Sequence, residues 1–197
     1  GKSTLAKKIS IYYKSPLLNS GKLYRAIAAK IKNKNIKIND KNKIVEAAKK
    51  LSKADINSKY LFETGVDSIA SKISARKYLR DELKAYQRSF PRIYGKGKKF
   101  TIIEGRDIGT EIFPEAKYKI FLWADARMRS MRRYEQTLKK GEKAGLAQIY
   151  NEIIIRDYKD LNRKIAPLRP AVNSVLLDTT YLDIEQAFNA VKKIIDK

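Results

Sequence analysis

Three apolar runs of strand length, Phe100–Glu104, Tyr118–Trp123 and Val172–Leu177, are separated by segments with helical periodicity. This alternation confines the chain to one class. Short apolar strands joined through helices form parallel neighbours, and a parallel sheet has helices on both faces. Continuous apolar runs, rather than alternating ones, predict that all three strands are buried. A shorter stretch, Pro16-Leu17-Leu18, ends at Asn19-Ser20-Gly21. The helical segments are Gly1 to Tyr13, Lys22–Ile31, Ile44–Leu51, Val66–Phe90, Arg129–Lys140, Ala147–Leu161 and Ile184–Ile195. The fourth is the longest, with Ile69, Ile73, Leu79, Leu83 and Tyr86 in its stripe. Asn33–Asn42 is polar and turn-like, and Ser52–Thr64 has no period.

At 197 residues the chain suits one domain with a sizeable core. It contains no Cys and no His, which removes disulfides, thiolate nucleophiles, imidazole metal sites and the Ser-His-Asp triad together. The longest uncharged runs are Ala144–Asn151 and Pro170–Leu177. Both fall far below the ~18 residues that span a bilayer. The expected setting is the cytoplasm, with no membrane partner.

Lys and Arg number 44 against 21 Asp and Glu, a net charge of +23. Such an excess raises nucleic-acid binding as a possibility. The 31 lysines, however, are scattered over many segments, and Lys, Ile and Asn, all with A/T-rich codons, make up 65 residues. The densest cationic stretch, Arg92–Lys99, has loop composition and reads as a solvated face. The 13 arginines carry more information, because a planar guanidinium suits bidentate phosphate recognition.

Gly1-Lys2-Ser3-Thr4 leads directly into a helix. It matches the second half of a P-loop, in which backbone N–H groups and a helix N-terminus hold phosphates, the Lys reaches the outer two, and the hydroxyl binds Mg²⁺. The first Gly of that motif and its strand are expected upstream of Gly1. In open parallel sheets ligands bind beyond the carboxyl ends of the strands. The polar clusters at Asn19-Ser20, Glu104–Asp107 and Asp125–Arg133 each follow a strand, so one rim is expected to carry them.

With these motifs in place the chain resembles the bacterial cytidylate kinases, members of the nucleoside-monophosphate kinase group. The resembling pieces are Gly1–Leu5, Leu17 to Arg25, Ile103-Glu104-Gly105-Arg106-Asp107-Ile108-Gly109-Thr110 with Phe113-Pro114, and Arg156-Asp157 with Asp160-Leu161-Asn162-Arg163. Ala166-Pro167-Leu168 and Leu177-Asp178-Thr179-Thr180 continue it. The resemblance implies an α/β fold: a P-loop-type parallel five-stranded sheet of order 2-3-1-4-5, flanked by helices, whose first strand precedes Gly1. It implies one kinase domain over 1–197, a shortened acceptor-binding insert near 32–70 and a flap near 129–146. The implied reaction moves the γ-phosphoryl of ATP to CMP or dCMP with Mg²⁺, in a monomer with no specific nucleic-acid partner. That chemistry needs no His, because the attacking phosphate oxygen is already anionic and catalysis is positioning and neutralisation.

By the same resemblance Lys2, Arg106 and Arg156 are catalytic, and Gly1, Lys2, Ser3 and Thr4 hold the ATP phosphates. Arg129, Arg132 and Arg133 open the flap over ATP. Arg25, Arg106, Arg156 and Arg163 neutralise or orient nucleotide phosphates. Ser20, Ser71, Arg80 and Asp107 surround the cytosine, Asp160 holds the ribose hydroxyls, and Ser3 and Glu104 serve Mg²⁺, Glu104 through water. An Asp acceptor with Ser and Arg donors matches the cytosine edge. Against each Arg stands an ordinary surface ion pair, and against Ser71 and Arg80 a polar helix face.

Three departures from the family pattern stand out. Asn19 replaces an Asp, Glu104 replaces an Asp, and the insert is short, so a small helical or loop cap is expected there. Three alternatives stay open: a kinase of UMP or AMP, a basic nucleic-acid-binding protein on a kinase-like fold, and a degenerate kinase.

Overall fold

The structure, a computed structural model, describes residues 1–139, 141 and 143–196. It divides into two compact units, one of Ser15–Gly105 and one of Gly1–Lys14 with Arg106–Lys197. Among the described residues no helix is long and apolar enough to cross a membrane.

The first unit opens with β1 (Leu17–Asn19) and α2 (Ser20–Asn33), in the numbering that gives α1 to Lys2–Tyr12. Helices α3 (Lys41–Lys49), α4 (Lys53–Ile56), α5 (Val66–Ser74) and α6 (Lys77–Tyr94) follow, and β2 (Ile102–Glu104) closes the unit. β1 and β2 pair in parallel, Leu17 with Ile102 and Asn19 with Glu104. Leu18, Leu23, Ile27, Ile44, Val66, Ile73, Leu79 and Leu83 form one buried core. Residues 32–70, where a small helical or loop cap is expected, carry α3, α4 and the start of α5.

The expected single helix from Val66 to Phe90 is two helices, broken at Ala75 and Arg76. Ile73 and Leu79 are both fully buried. Six residues at ~100° each set them about 120° apart around a continuous helix, so no straight helix could face both inward. The break resets the phase, and the Ser74 carbonyl it frees accepts from Arg80 Nη1 at 3.0 Å. Helix α6 stops at Gly95, where a Cβ would lie 2.4 Å from the Pro91 carbonyl oxygen. Within Ser52–Thr64, Ser52 and Asp55 form a capping box on α4, and Lys59–Phe62 is one 3₁₀ turn. Neither is long enough to show a period.

The second unit contains α1, a π turn over Ile108–Ile112, β3 (Ile120–Trp123), α7 (Ala126–Leu138), α8 (Leu146–Asn162), β4 (Val175–Asp178) and α9 (Ile184–Ile195). β3 and β4 pair in parallel, Ile120 with Val175 and Trp123 with Asp178. Lys140 and Glu142, within the expected flap and its helix, lie outside the described residues. Helix α9 runs along α1: Lys8 pairs with Glu185, the Tyr13 hydroxyl donates to Asp196 at 2.8 Å, and the Tyr12 and Phe188 rings meet edge to face at 5.2 Å.

Of the expected five-stranded sheet the described residues show two parallel pairs, β1–β2 in one unit and β3–β4 in the other. These are the pairings 2-3 and 4-5 of the expected order, and strand 1 has no counterpart among the described residues. The expectation that all three strands are buried is corrected: Trp123 of β3 is 52% exposed, and Val175 and Leu176 of β4 are 42% and 64% exposed. Among the described residues β4 is hydrogen-bonded only to β3, and two strands cannot bury both of their faces. Val172 falls outside the strand, in a turn where the Ser174 N–H bonds the Ala171 carbonyl at 3.0 Å.

Candidate active site

In the first unit the polar residues gather where β1 and β2 end. Asn19 closes β1 in an extended conformation, and its side-chain oxygen accepts from Lys22 N–H at 3.2 Å, capping α2. Asn caps a helix as well as Asp does, so the departure at this position keeps the cap and removes only the charge. Ser20 is buried in the first turn of α2, and Glu104, also buried, ends the neighbouring strand in register with Asn19.

Arg25 projects from the second turn of α2. Its Nη1 donates to the Leu61 carbonyl at 3.0 Å, its Nη2 pairs with Asp67, and the guanidinium lies 5.2 Å from the centroid of the Phe62 ring. Ser71 and Arg80, expected on one helix, stand on α5 and α6. Ser71 is exposed and Arg80 buried.

In the second unit α1 begins at Gly1 with no side-chain cap and no acidic residue in its first turn. Lys2 is partly buried, and Ser3 and Thr4 are exposed. A helix start with no carboxylate in its own first turn suits an anion.

Arg106 follows β2 in sequence and pairs with Asp160 of α8 at 2.8 Å. Arg163 lies 3.7 Å from the other oxygen of the same carboxylate. Asp160 thus sits between two guanidinium groups, and all three side chains are at most 30% exposed. Burial pulls the Arg106 guanidinium below its ordinary value; Asp160 and Asp157 oppose that, and Arg156 and Arg163 add to it. An arginine starts so high that it keeps its charge. Arg163 Nε also donates to the carbonyl of Ala166. Ala166 has φ +49°, a left-handed conformation uncommon for a non-glycine residue, and Pro167 follows it. The Leu168 N–H bonds the Asp160 carbonyl at 2.8 Å, so the loop after α8 folds back onto its end. Local strain of this kind collects at working sites.

Asp107 is buried, and its carbonyl accepts from Glu111 N–H at 2.9 Å at the start of the π turn. On α7, capped by Asp125, Arg129 pairs with Asp157 at 2.7 Å and donates to the Ala124 carbonyl, and Arg133 lies 3.7 Å from Glu152. Arg132 differs. Its Nη2 donates to the carbonyls of Thr179, Thr180 and Leu182 at 2.8, 3.0 and 2.9 Å. Arg156 is exposed on α8, with no ion pair among the described residues.

The structure therefore gathers Arg106, Asp160 and Arg163 at one point, sets Arg129 and Arg133 against α8, and turns Arg132 to the loop after β4. Sequence reasoning missed Asp157 and Asp67, the carboxylates that hold Arg129 and Arg25. For Asp157 a usable signal was present, since it stands beside Arg156 in the motif; Asp67 has no arginine beside it in sequence. Among the described residues no three carboxylates converge as a metal cage. Mg²⁺ that keeps its waters and binds nucleotide phosphates needs only one or two protein oxygens.

Comparison with known proteins gives the family. The sequence profile of the family described as Cytidylate kinase matches residues 1–197. A protein named Cytidylate kinase from Brucella suis biovar 1 is 36% identical over 196 residues, covering 100% of this chain and 88% of the relative. Proteins of the same name from Brucella ovis and Brucella abortus are 36% and 35% identical over the same shares. This chain, with its guanidinium groups assembled on Asp160 and its P-loop half at the start of α1, belongs to the cytidylate kinase family.

Proposed function

We propose that this chain transfers the γ-phosphoryl of ATP to CMP and dCMP, as a cytoplasmic monomer in pyrimidine nucleotide metabolism. The observation that carries the reading is the Arg106–Asp160–Arg163 cluster, built from two motifs far apart in sequence. A phosphate oxygen of the acceptor attacks the γ-phosphorus, the bond to the β,γ-bridging oxygen breaks, and ADP leaves with that oxygen. No proton need be removed from the nucleophile.

The residues divide the work. Gly1 and Thr4 offer backbone N–H groups, and Lys2 neutralises the β- and γ-phosphates. Arg106 and Arg156 hold the charge that moves between donor and acceptor, and Arg25 and Arg163 orient the acceptor phosphate. Asp160 receives the ribose hydroxyls, while Ser20, Ser71, Arg80 and Asp107 read the base. Arg129 and Arg133 cover ATP; Arg132, assigned with them, does so while one of its nitrogens holds the loop after β4. Ser3 and, through water, Glu104 would hold Mg²⁺, which supplies charge neutralisation between the β- and γ-phosphates. Acting together, these groups contribute by position and fixed charge.

Asp107 is the discriminating residue, because its carboxylate can accept from the exocyclic amine of cytosine, which uracil lacks. Asp107→Asn, close in shape at a buried position, and Asp107→Ala should each lower the CMP over UMP ratio of kcat/KM about 10-fold or more in a coupled assay. An unchanged ratio in both variants sinks the base assignment.

A further inference from the structure

Three cations of α2 reach carboxylates of the helical insert. Lys30 meets Asp55 at 2.7 Å, Lys32 meets Glu63 at 2.9 Å, and Arg25 meets Asp67. The two lysine pairs are ordinary point-charge contacts. The third is built differently. Arg25 is only 19% exposed, and the Leu61 carbonyl and the Phe62 ring hold its plane. Asp67 comes from the first turn of α5, just after Gly65 at φ +85°, and is 48% exposed. A planar fork fixed by a carbonyl and a ring, and met by an anion from solvent, is the arrangement a phosphate would need.

We propose that Asp67 is an internal stand-in for the acceptor phosphate, a positioning residue that occupies the Arg25 fork until CMP displaces it, and so sets acceptor affinity. This rests on the reading of Arg25 as a ligand of the acceptor phosphate. In the exchange a carboxylate leaves the guanidinium as a phosphate dianion arrives, so Arg25 is never left without an anion. The stronger, doubly charged ligand wins. Its apparent affinity is reduced by the fraction of molecules in which Asp67 is in place.

The test is Asp67→Asn, with KM for CMP, KM for ATP and kcat measured separately. A half-exposed ion pair of this kind corresponds to about a two- to five-fold factor. The expected result is therefore a KM for CMP about two- to five-fold lower, with kcat and KM for ATP unchanged. Glu63→Gln, which breaks the neighbouring α2-to-insert pair, should leave KM for CMP unmoved. The Asp67→Asn effect should also vanish in an Arg25→Lys background, where the fork is gone. An unchanged or raised KM in Asp67→Asn overturns the proposal, as does an equal fall in Glu63→Gln, which would indicate general loosening of the insert. If Arg25→Lys alone leaves KM for CMP unchanged, the phosphate reading of Arg25 fails instead, and the stand-in role fails with it.

Discussion

Asp160→Asn isolates the charge on which the arginine cluster is built. The substitution keeps the shape and one oxygen acceptor but removes the anion between Arg106, at 2.8 Å, and Arg163, at 3.7 Å. The contact is an ion pair, since the Asp160 Oδ2 facing Arg106 makes no hydrogen bond among the described residues. Breaking a fully buried pair costs about 3–5 kcal/mol. Here Asp160 is 14% exposed, Arg163 11% and Arg106 30%, so water screens part of the loss. Together these place the cost at about 2 kcal/mol. For a chain of this length that corresponds to a melting point lower by about 4–8 °C. The variant should regain about 1.4 kcal/mol in phosphate or sulfate at ten times its dissociation constant, because the two guanidinium groups have lost their counter-ion and Arg106, 30% exposed, can meet an anion from solvent. Chloride at equal ionic strength should not do this. Thermal melts in the three salts make the comparison. A variant melting within about 1 °C of the parent, or one rescued equally by chloride, would refute a shared, partly buried charge cluster.

Two further outcomes follow from contacts in the second unit. Arg132→Ala should cost about 1.5–3 kcal/mol by freeing the carbonyls of Thr179, Thr180 and Leu182, with faster amide exchange across residues 179–182; unchanged exchange there would mean the loop holds itself. Tyr13 is pushed up to about 12 from 10.0 by burial, then by its hydrogen bond to Asp196 and by the charge of Asp196. The folded chain therefore keeps a proton that the unfolded chain loses between those values, so this contribution to stability is complete below pH 10 and lost as pH rises toward 12. Denaturant unfolding on either side of about pH 10 should show a shallower alkaline decline in Tyr13→Phe than in the parent, and equal slopes would refute it.

Much of the local structure could be read directly from the amino-acid order. The starts of α2, α7 and α9 carry their own signals in Asn19, Asp125 and Asp183, side chains that accept from the first free N–H groups of the helix. The strands announced themselves as short apolar runs. The break at Ala75 was also present in the order of residues, since Ile73 and Leu79 are out of phase, but a single apolar stripe drawn through both concealed it. The exposure of β4 could not be seen, because burial of a strand depends on what packs over it.

The arginines separate the two kinds of information most clearly. Their number, the absence of His and Cys, and the motifs that contain Lys2, Arg106, Asp107, Arg156 and Arg163 belong to the sequence, since each is a matter of residue type and spacing. Their partners do not. Arg25 finds the Leu61 carbonyl across 36 positions and Arg132 finds Thr179 across 47. Which carboxylate or carbonyl meets a given guanidinium is settled by packing of whole helices, and helix periodicity carries no record of distant contacts. Local patterning thus determined the elements and the chemistry available, while tertiary packing decided where each charge came to rest, because electrostatic energy depends on separation and burial, which only the folded chain defines.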